Sequence, residues 1–185
     1  KMKLEISKLK HTDLETIYPA ATELAENDIN FYEDAKNISK KLNEDDETLK
    51  KEWEIIYDVS VANIKKLLDK LEHRFDWFYG ESDVVKETKS VINNAKSKNK
   101  ILNDNGALLS KEPSDPPILL TKSDGSYLYL TTDLGTVYFR EQNASFNKYL
   151  YVVDQRQSNH FIQLFKTVKY FELSESDFTH ISYGT

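Results

Sequence analysis

Apolar residues recur at Trp53, Ile56, Tyr57, Val61, Ile64, Leu67, Leu68 and Leu71, three or four positions apart. Lys50, Lys51, Lys65, Lys66 and Asp69 fill the intervening positions. This spacing predicts a long amphipathic helix with one stripe facing a core. The acidic stretch Asn43-Glu-Asp-Asp-Glu47 just ahead of it suits the positive end of the helix dipole. Residues 12–42 also read as helical, with a break near Asn27-Asp28. Thr12-Asp-Leu-Glu15 has the form of a capping box. Pro19 requires the first helix either to start after it or to kink there.

The pattern changes after Arg74. Phe75-Asp-Trp-Phe-Tyr79 is aromatic-dense and strand-like, and Gly80-Glu-Ser82 turns it into a second amphipathic helix. Val84, Val85, Thr88, Val91, Ile92 and Ala95 form the expected buried stripe of that helix. Residues 100–109 read as a hairpin, because Asn105-Gly106 supplies the positive φ angles of a tight turn. Pro113-Ser-Asp-Pro-Pro117 is a non-helical connector, and Ser123-Asp-Gly-Ser126 is a turn. Strand 127–131, helix 133–142, strand 149–153, helix 157–170 and strand 178–183 then alternate. Such alternation points to parallel strands joined by right-handed crossovers. The predicted fold is α/β: a helical module over 1–73, then half of an open sheet over 74–185.

Open α/β sheets hold ligands in the crevice outside the carboxyl ends of their strands. Two strand-to-helix junctions carry polar clusters here. Tyr129 and Asp133 lie four apart across the first, and Gln157 and His160 follow the second. A carboxylate, a phenol and an amide offer acceptors to a small cation and contain no obvious proton-transfer couple. Taken singly, Asp133 reads as a first-turn acid or cap, Tyr129 as a surface strand residue, and His160 as a satisfied helix residue. Their convergence on adjacent junctions favours a binding site. Trp53 and Trp77 read as core aromatics.

Composition removes several classes of chemistry. The chain has no cysteine, which excludes disulfides and thiolate chemistry. Its four histidines lack metal-ligand spacing. Glycine-rich phosphate loops and the Gly-x-Ser-x-Gly elbow are also missing. Net charge is −6, shared evenly as −3 on each side of residue 100, so any RNA contact has to be local. The lysine-dotted segment Lys86–Lys100 reads as a solvated helix face before an RNA contact. Lys1-Met-Lys-Leu-Glu-Ile6 lacks the charged-then-apolar order of a signal peptide. A reducing, cytoplasmic location without membrane attachment is expected.

Four motifs in order resemble the central catalytic region of bacterial arginyl-tRNA synthetases, which are class I synthetases. They are Phe75-Asp-Trp-Phe-Tyr-Gly-Glu-Ser82, Lys122-Ser-Asp-Gly-Ser-Tyr-Leu-Tyr-Leu-Thr-Thr-Asp-Leu-Gly135, Tyr151-Val-Val-Asp-Gln-Arg-Gln157 with His160, and His180-Ile-Ser-Tyr-Gly184. Asp13-Leu-Glu-Thr-Ile-Tyr-Pro-Ala20 is similar to the family's sequence ahead of its helical connecting segment. The resemblance implies the second half of a Rossmann-like catalytic sheet preceded by a helical insertion. It further implies that Tyr129, Asp133 and Gln157 contact arginine, and that His160 lies on the ATP side.

The planar, permanently charged, donor-only guanidinium agrees with the acceptors present. ATP with Mg²⁺, L-arginine and tRNA(Arg) are the implied partners of a full-length ligase. The family's His-x-Gly-His and Lys-Met-Ser-Lys motifs do not occur, so the expectation is a fragment with part of the arginine pocket, no catalytic residue and no bound cofactor. The alternative is a non-catalytic, synthetase-like module that binds arginine or docks a partner.

Overall fold

A computed structural model describes residues 6–43, 46–144 and 146–184. Lys1–Glu5, most of the amino-terminal hexapeptide, lie outside those residues, as do Glu44 and Asp45 of the acidic stretch. The chain divides into two compact units, Lys1–Trp77 and Phe78–Thr185.

The first unit is helical: α1 (His11–Asn27), α2 (Ile29–Asn43) and α3 (Glu47–Lys70). Its break falls where expected. The Asp28 carboxylate accepts the Asn30 and Phe31 amides at 2.9 and 3.2 Å, ending one helix and capping the next. Asp46 does the same for α3, accepting from Thr48 and Leu49 at 3.0 Å each. The expected cap of α1 is displaced. Lys10 is the cap residue, and its amide donates to Asp13 at 2.9 Å, so Thr12 and Glu15 lie inside the helix. Pro19 is accommodated within an unbroken α1.

The stripe of α3 is only partly covered within this unit. Trp53, Tyr57 and Val61 are half-buried, whereas Ile56, Ile64, Leu67 and Leu71 are exposed. None of the described residues of the unit is fully buried, because three helices in mutual contact do not enclose a core of their own. Two expectations for 75–79 fail for a related reason. Phe75, Trp77, Phe78 and Tyr79 are exposed and adopt no strand, so Trp77 is not a core aromatic.

The second unit holds the core. A 3₁₀ turn (Glu81–Val84) leads into α4 (Val85–Ser97), which buries Thr88, Val91, Ile92 and Ala95 as the stripe predicts; Val85 is exposed. Next comes the hairpin, β1 (Ile101–Asp104) and β2 (Ala107–Ser110). Asn105 and Gly106 take φ of 49° and 89°, the left-handed pair that an Asn-Gly turn requires. β3 (Leu119–Thr121) adds antiparallel to β2, giving sheet order β1-β2-β3.

The largest correction follows β3. Residues 127–131 are not a strand; α5 runs Tyr129–Asn143, and Tyr127 contributes only an isolated bridge to Thr121. Leu128 is extended, with ψ of 160°, and its carbonyl accepts the Thr131 and Thr132 amides at 2.8 and 3.2 Å. The Thr131 hydroxyl donates to the Leu120 carbonyl at 2.5 Å, pinning the first turn of α5 to β3. The β-like Thr131, and with it the first turn of α5, is thereby held in a helix by a tertiary bond that outweighs local propensity.

The remaining elements match expectation. β4 (Lys148–Asp154), α6 (Ser158–Phe171) and β5 (Asp177–Tyr183) form a crossover unit whose strands are parallel, from Lys148↔Asp177 to Asp154↔Tyr183. Leu120, Leu134, Val137 and Leu164 are wholly enclosed in the common core. No helix among the described residues is long and apolar enough to cross a membrane.

Two contacts hold α4 in place. Gly135 of α5 meets Thr88 of α4 so closely that an added Cβ would overlap the Thr88 hydroxyl and lie 2.9 Å from its backbone nitrogen. At the other end Glu172, which closes α6 in the left-handed region with φ 57°, receives Lys98 at 2.9 Å and Lys100 at 2.8 Å. The hydrogen bonds from Lys100 and then Lys98 lower the Glu172 carboxyl to about 2.

Two outcomes follow for stability. Gly135→Ala is expected to destabilise the chain by about 3 kcal/mol, the upper range for overpacking, measured by urea unfolding. Adding Thr88→Ala should restore only part of the loss, because the backbone clash remains. Full restoration would show that the hydroxyl alone sets the spacing. Glu172→Gln should lower the unfolding midpoint slightly at neutral pH, since exposed pairs contribute little. A depressed carboxyl stabilises above its unfolded value of 4.5, and that contribution disappears as pH falls toward 2. The difference between parent and variant should therefore shrink across that window and be constant above it.

Candidate functional site

The site forms where α5 passes the head of α6. Asp133 is the fifth residue of α5, too far in to cap it. Its Oδ2 instead accepts a hydrogen bond from His160 Nε2 at 2.6 Å. The side chains are 38% and 25% exposed, so the pair lies at the wall of the unit with one carboxylate oxygen still unassigned. This bond joins residues 27 apart in sequence and explains both better than the isolated readings of a cap and a satisfied helix residue.

Beneath the pair lies an aromatic bed. His160 meets Phe161 edge-on with centroids 5.2 Å apart, and Phe161 contacts Tyr151 and His180 at 5.1 and 4.7 Å. His180 Nε2 donates to the Val153 carbonyl at 3.0 Å, which ties β5 to the end of β4. Arg140, two turns along α5 from Asp133, donates to the Tyr151 hydroxyl at 3.2 Å and stands 5.6 Å above its ring. Burial raises the Tyr151 phenol; Arg140 opposes the shift and the Asp133 charge adds to it. Tyr151 and Arg140 were not among the expected site residues. Tyr151 did carry a signal, since it opens the third motif, but its contact with Arg140 spans two elements.

Tyr129 lies four residues before Asp133 on the same helix, a spacing that puts the two on one face. The residue is 75% exposed, available to solvent or a ligand. The pair thus spans one turn of α5 and not a strand-to-helix junction. The second junction is real. β4 ends at Asp154, whose carboxylate accepts the Arg156 amide at 2.7 Å and its Nε and second guanidinium nitrogen at 2.9 and 3.0 Å. This clamp shapes the Gln155–Gln157 3₁₀ turn and leaves Gln157 exposed at the head of α6. Gln157 makes no side-chain hydrogen bond to Tyr129, Asp133 or His160 among the described residues. Nor do these residues include a cluster of three His, Cys, Asp or Glu side chains able to hold a metal.

An anionic group, a phenol and an amide around an aromatic floor can bind a cation by charge and by hydrogen-bond acceptance. Residues 2–185 match the model of the family described as tRNA synthetases class I (R), catalytic domain. The chain is 36% identical over 181 residues to the arginine–tRNA ligase of Alkaliphilus oremlandii, covering 94% of this chain and 31% of that protein. It is 32% identical over 177 residues to the ligase of Francisella tularensis subsp. novicida, covering 94% and 30%. The chain therefore spans about a third of the length of these curated relatives.

Among solved structures, the arginyl-tRNA synthetase of Plasmodium falciparum aligns with a TM-score of 0.68 and 26% identity over 84% of this chain and 28% of that one. A putative arginyl-tRNA synthetase from Campylobacter jejuni has the same fold, with a TM-score of 0.64 at 12% identity over 80% and 35%. With the family model matched from residue 2 to residue 185 and this fold shared with solved synthetases, the chain belongs to the catalytic-domain family of class I arginyl-tRNA synthetases.

Proposed function

We propose that this chain supplies one wall of the arginine pocket of an ATP-dependent arginine–tRNA ligase. In that reaction the arginine carboxylate attacks the α-phosphorus of ATP, pyrophosphate leaves, and the arginyl group then passes to a ribose hydroxyl of tRNA(Arg) with release of AMP. The role of this chain's residues is recognition. Asp133 faces the guanidinium as counter-ion and acceptor, Tyr129 packs beside it on the same face of α5, and Gln157 closes the wall from the head of α6.

The observation that carries the reading is the bond from His160 to Asp133. Using one carboxylate oxygen, it fixes the other in direction, as bidentate or oriented recognition of a guanidinium requires. His160 is accordingly assigned to hold Asp133; any contact with ATP would be made from that same position. ATP enters as co-substrate with Mg²⁺. The described residues include neither a glycine-rich phosphate loop nor a metal cluster, so the assigned roles are confined to the amino acid.

The full-length ligase provides the test. Asp133→Ala should raise KM for arginine roughly 10- to 100-fold, the loss expected for a charge-assisted hydrogen bond. KM for ATP should change little. An equal rise in both would remove Asp133 from the arginine wall. His160→Ala should raise KM for arginine by a smaller factor, since it loosens the carboxylate without deleting it. Calorimetry of the 185-residue chain with arginine should give weak binding or none, because the exposed wall screens the charge that grips the ligand. Tight binding would mean that the pocket is complete within this chain.

A further inference from the structure

A second concave surface shares no residue with the site at Asp133. It is a cleft of ≈ 430 Å³ between α4 and the three-stranded sheet, a volume in the range of ligand sites. Lys89 and Lys96 line it from one face of α4 and Asn103 from the hairpin, and all three are exposed. Ile92 and Leu108, both buried, and the half-buried Tyr127 form its apolar floor. The lysines are seven residues, or two turns, apart, so they stand about 10.5 Å apart along the helix.

The charged groups that line the cleft are both cations. Lys89 and Lys96 form no ion pair among the described residues, in contrast to Lys98 and Lys100, which are bound to Glu172. Glu87 precedes Lys89 by two residues on α4, a spacing that puts it off the lysine face. On the sheet side Asp104 and Asp124 are engaged within their own turns, by Asn105 at 2.9 Å and by the amide and hydroxyl of Ser126 at 2.9 and 2.6 Å. The Asn103 carboxamide oxygen accepts the Gly106 amide at 3.0 Å, which leaves its NH₂ group to donate. Burial raises the Tyr127 phenol, so it stays protonated and can donate too.

We propose that this cleft docks an extended acidic segment of a partner protein, with two carboxylates four residues apart and an apolar residue midway between them. Lys89 and Lys96 each pair with a carboxylate, the midway side chain rests on Ile92, Leu108 and Tyr127, and Asn103 donates to the segment's backbone. The spacing follows from strand geometry. Alternate side chains of an extended chain share a face and rise about 3.3 Å per residue, so residues four apart span about 13 Å. The flexible lysine stems take up the difference from 10.5 Å. Charge complementarity selects an anion, and the floor selects its class. Two of the three floor side chains are aliphatic, which suits an apolar side chain, whereas a nucleic-acid strand stacks its bases on aromatic platforms. A small anion would leave the floor uncovered, and small ligands are usually about 70–90% enclosed. The net charge of −6 does not oppose docking, since charges beyond about 10 Å are screened at 0.1 M salt. The cleft and the proposed arginine wall can fail independently.

The test is fluorescence anisotropy of the 185-residue chain with a labelled, end-capped nonapeptide that carries glutamate at its third and seventh positions, phenylalanine at its fifth and serine elsewhere. Saturable binding below about 1 mM is expected. Lys89→Ala with Lys96→Ala should weaken it about tenfold, the sum of two exposed charge pairs. Lys51→Ala with Lys66→Ala makes the same change in net charge on α3 and should leave affinity within about twofold. Replacing the phenylalanine of the probe by serine should cost about tenfold, and moving the glutamates to adjacent positions about fivefold. In the parent chain the peptide should shift the side-chain amide resonances of Asn103. No saturable binding, equal effects of the two double variants, or resonance shifts elsewhere would overturn the proposal. So would equal affinity for the rearranged peptide, which marks a general polyanion surface, or displacement of the peptide by a single-stranded RNA that binds more tightly, which marks a nucleic-acid groove.

Discussion

The close approach of Gly135 to Thr88 sets the spacing of the helix pair that carries Asp133. It lets α5 settle on α4 at backbone distance, where any side chain at 135 would force the helices apart. Asp133 stands two residues before that contact on α5. The candidate site is therefore carried at the edge of this helix pair that meets α6. A shift in the pair would move Asp133 against His160, because packed cores transmit strain and do not absorb it locally.

Within that frame the site at Asp133 is built by tertiary and local hydrogen bonds together. Thr131 hooks the Leu120 carbonyl, which fixes where α5 starts, and so fixes the turn on which Tyr129 and Asp133 face together. The Asp154 clamp on Arg156 fixes the start of α6, and so the height at which His160 meets Asp133. Each charged side chain at this end of β4 is thus paired on one side, and the polar groups left open are the second oxygen of Asp133 and the exposed Tyr129 and Gln157. That division favours recognition over proton transfer. A carboxylate already hydrogen-bonded by an imidazole is directed, and directedness is what a planar cation selects for.

The sequence was most legible where periodicity and chain direction agree. The Thr88–Ala95 stripe, the Asn105-Gly106 turn and the β4–α6–β5 crossover all follow from spacing and turn chemistry, and all stand in the structure. It was least legible where a distant atom decides the backbone. Tyr127-Leu-Tyr-Leu-Thr131 alternates like a strand, yet Leu120 captures Thr131 and the helix begins two residues in. Asp13 likewise displaces Thr12 and Glu15 from the cap of α1. In the site, residue types and their chain positions were readable. The pairing of Asp133 with His160, and of Arg140 with Tyr151, was not, because no local pattern encodes a contact between two helices or between a helix and a strand.

The parallel pair β4–β5 is packed on one face and open on the other among the described residues. In register, Tyr149, Tyr151 and Val153 share a face with Phe178, His180 and Ser182, and the aromatic residues of α6 pack against it. Leu150 and Val152 share the opposite face with Thr179 and Ile181, where Leu150, Val152 and Ile181 are 55%, 61% and 43% exposed. Parallel sheets are ordinarily covered on both faces, and apolar side chains standing in water are unfavourable. An attraction between a carboxylate and a guanidinium is several-fold weaker at the dielectric of such an open wall than in an enclosed site. The geometry of Asp133 is set on the side of the sheet that α6 covers, where His160 holds it.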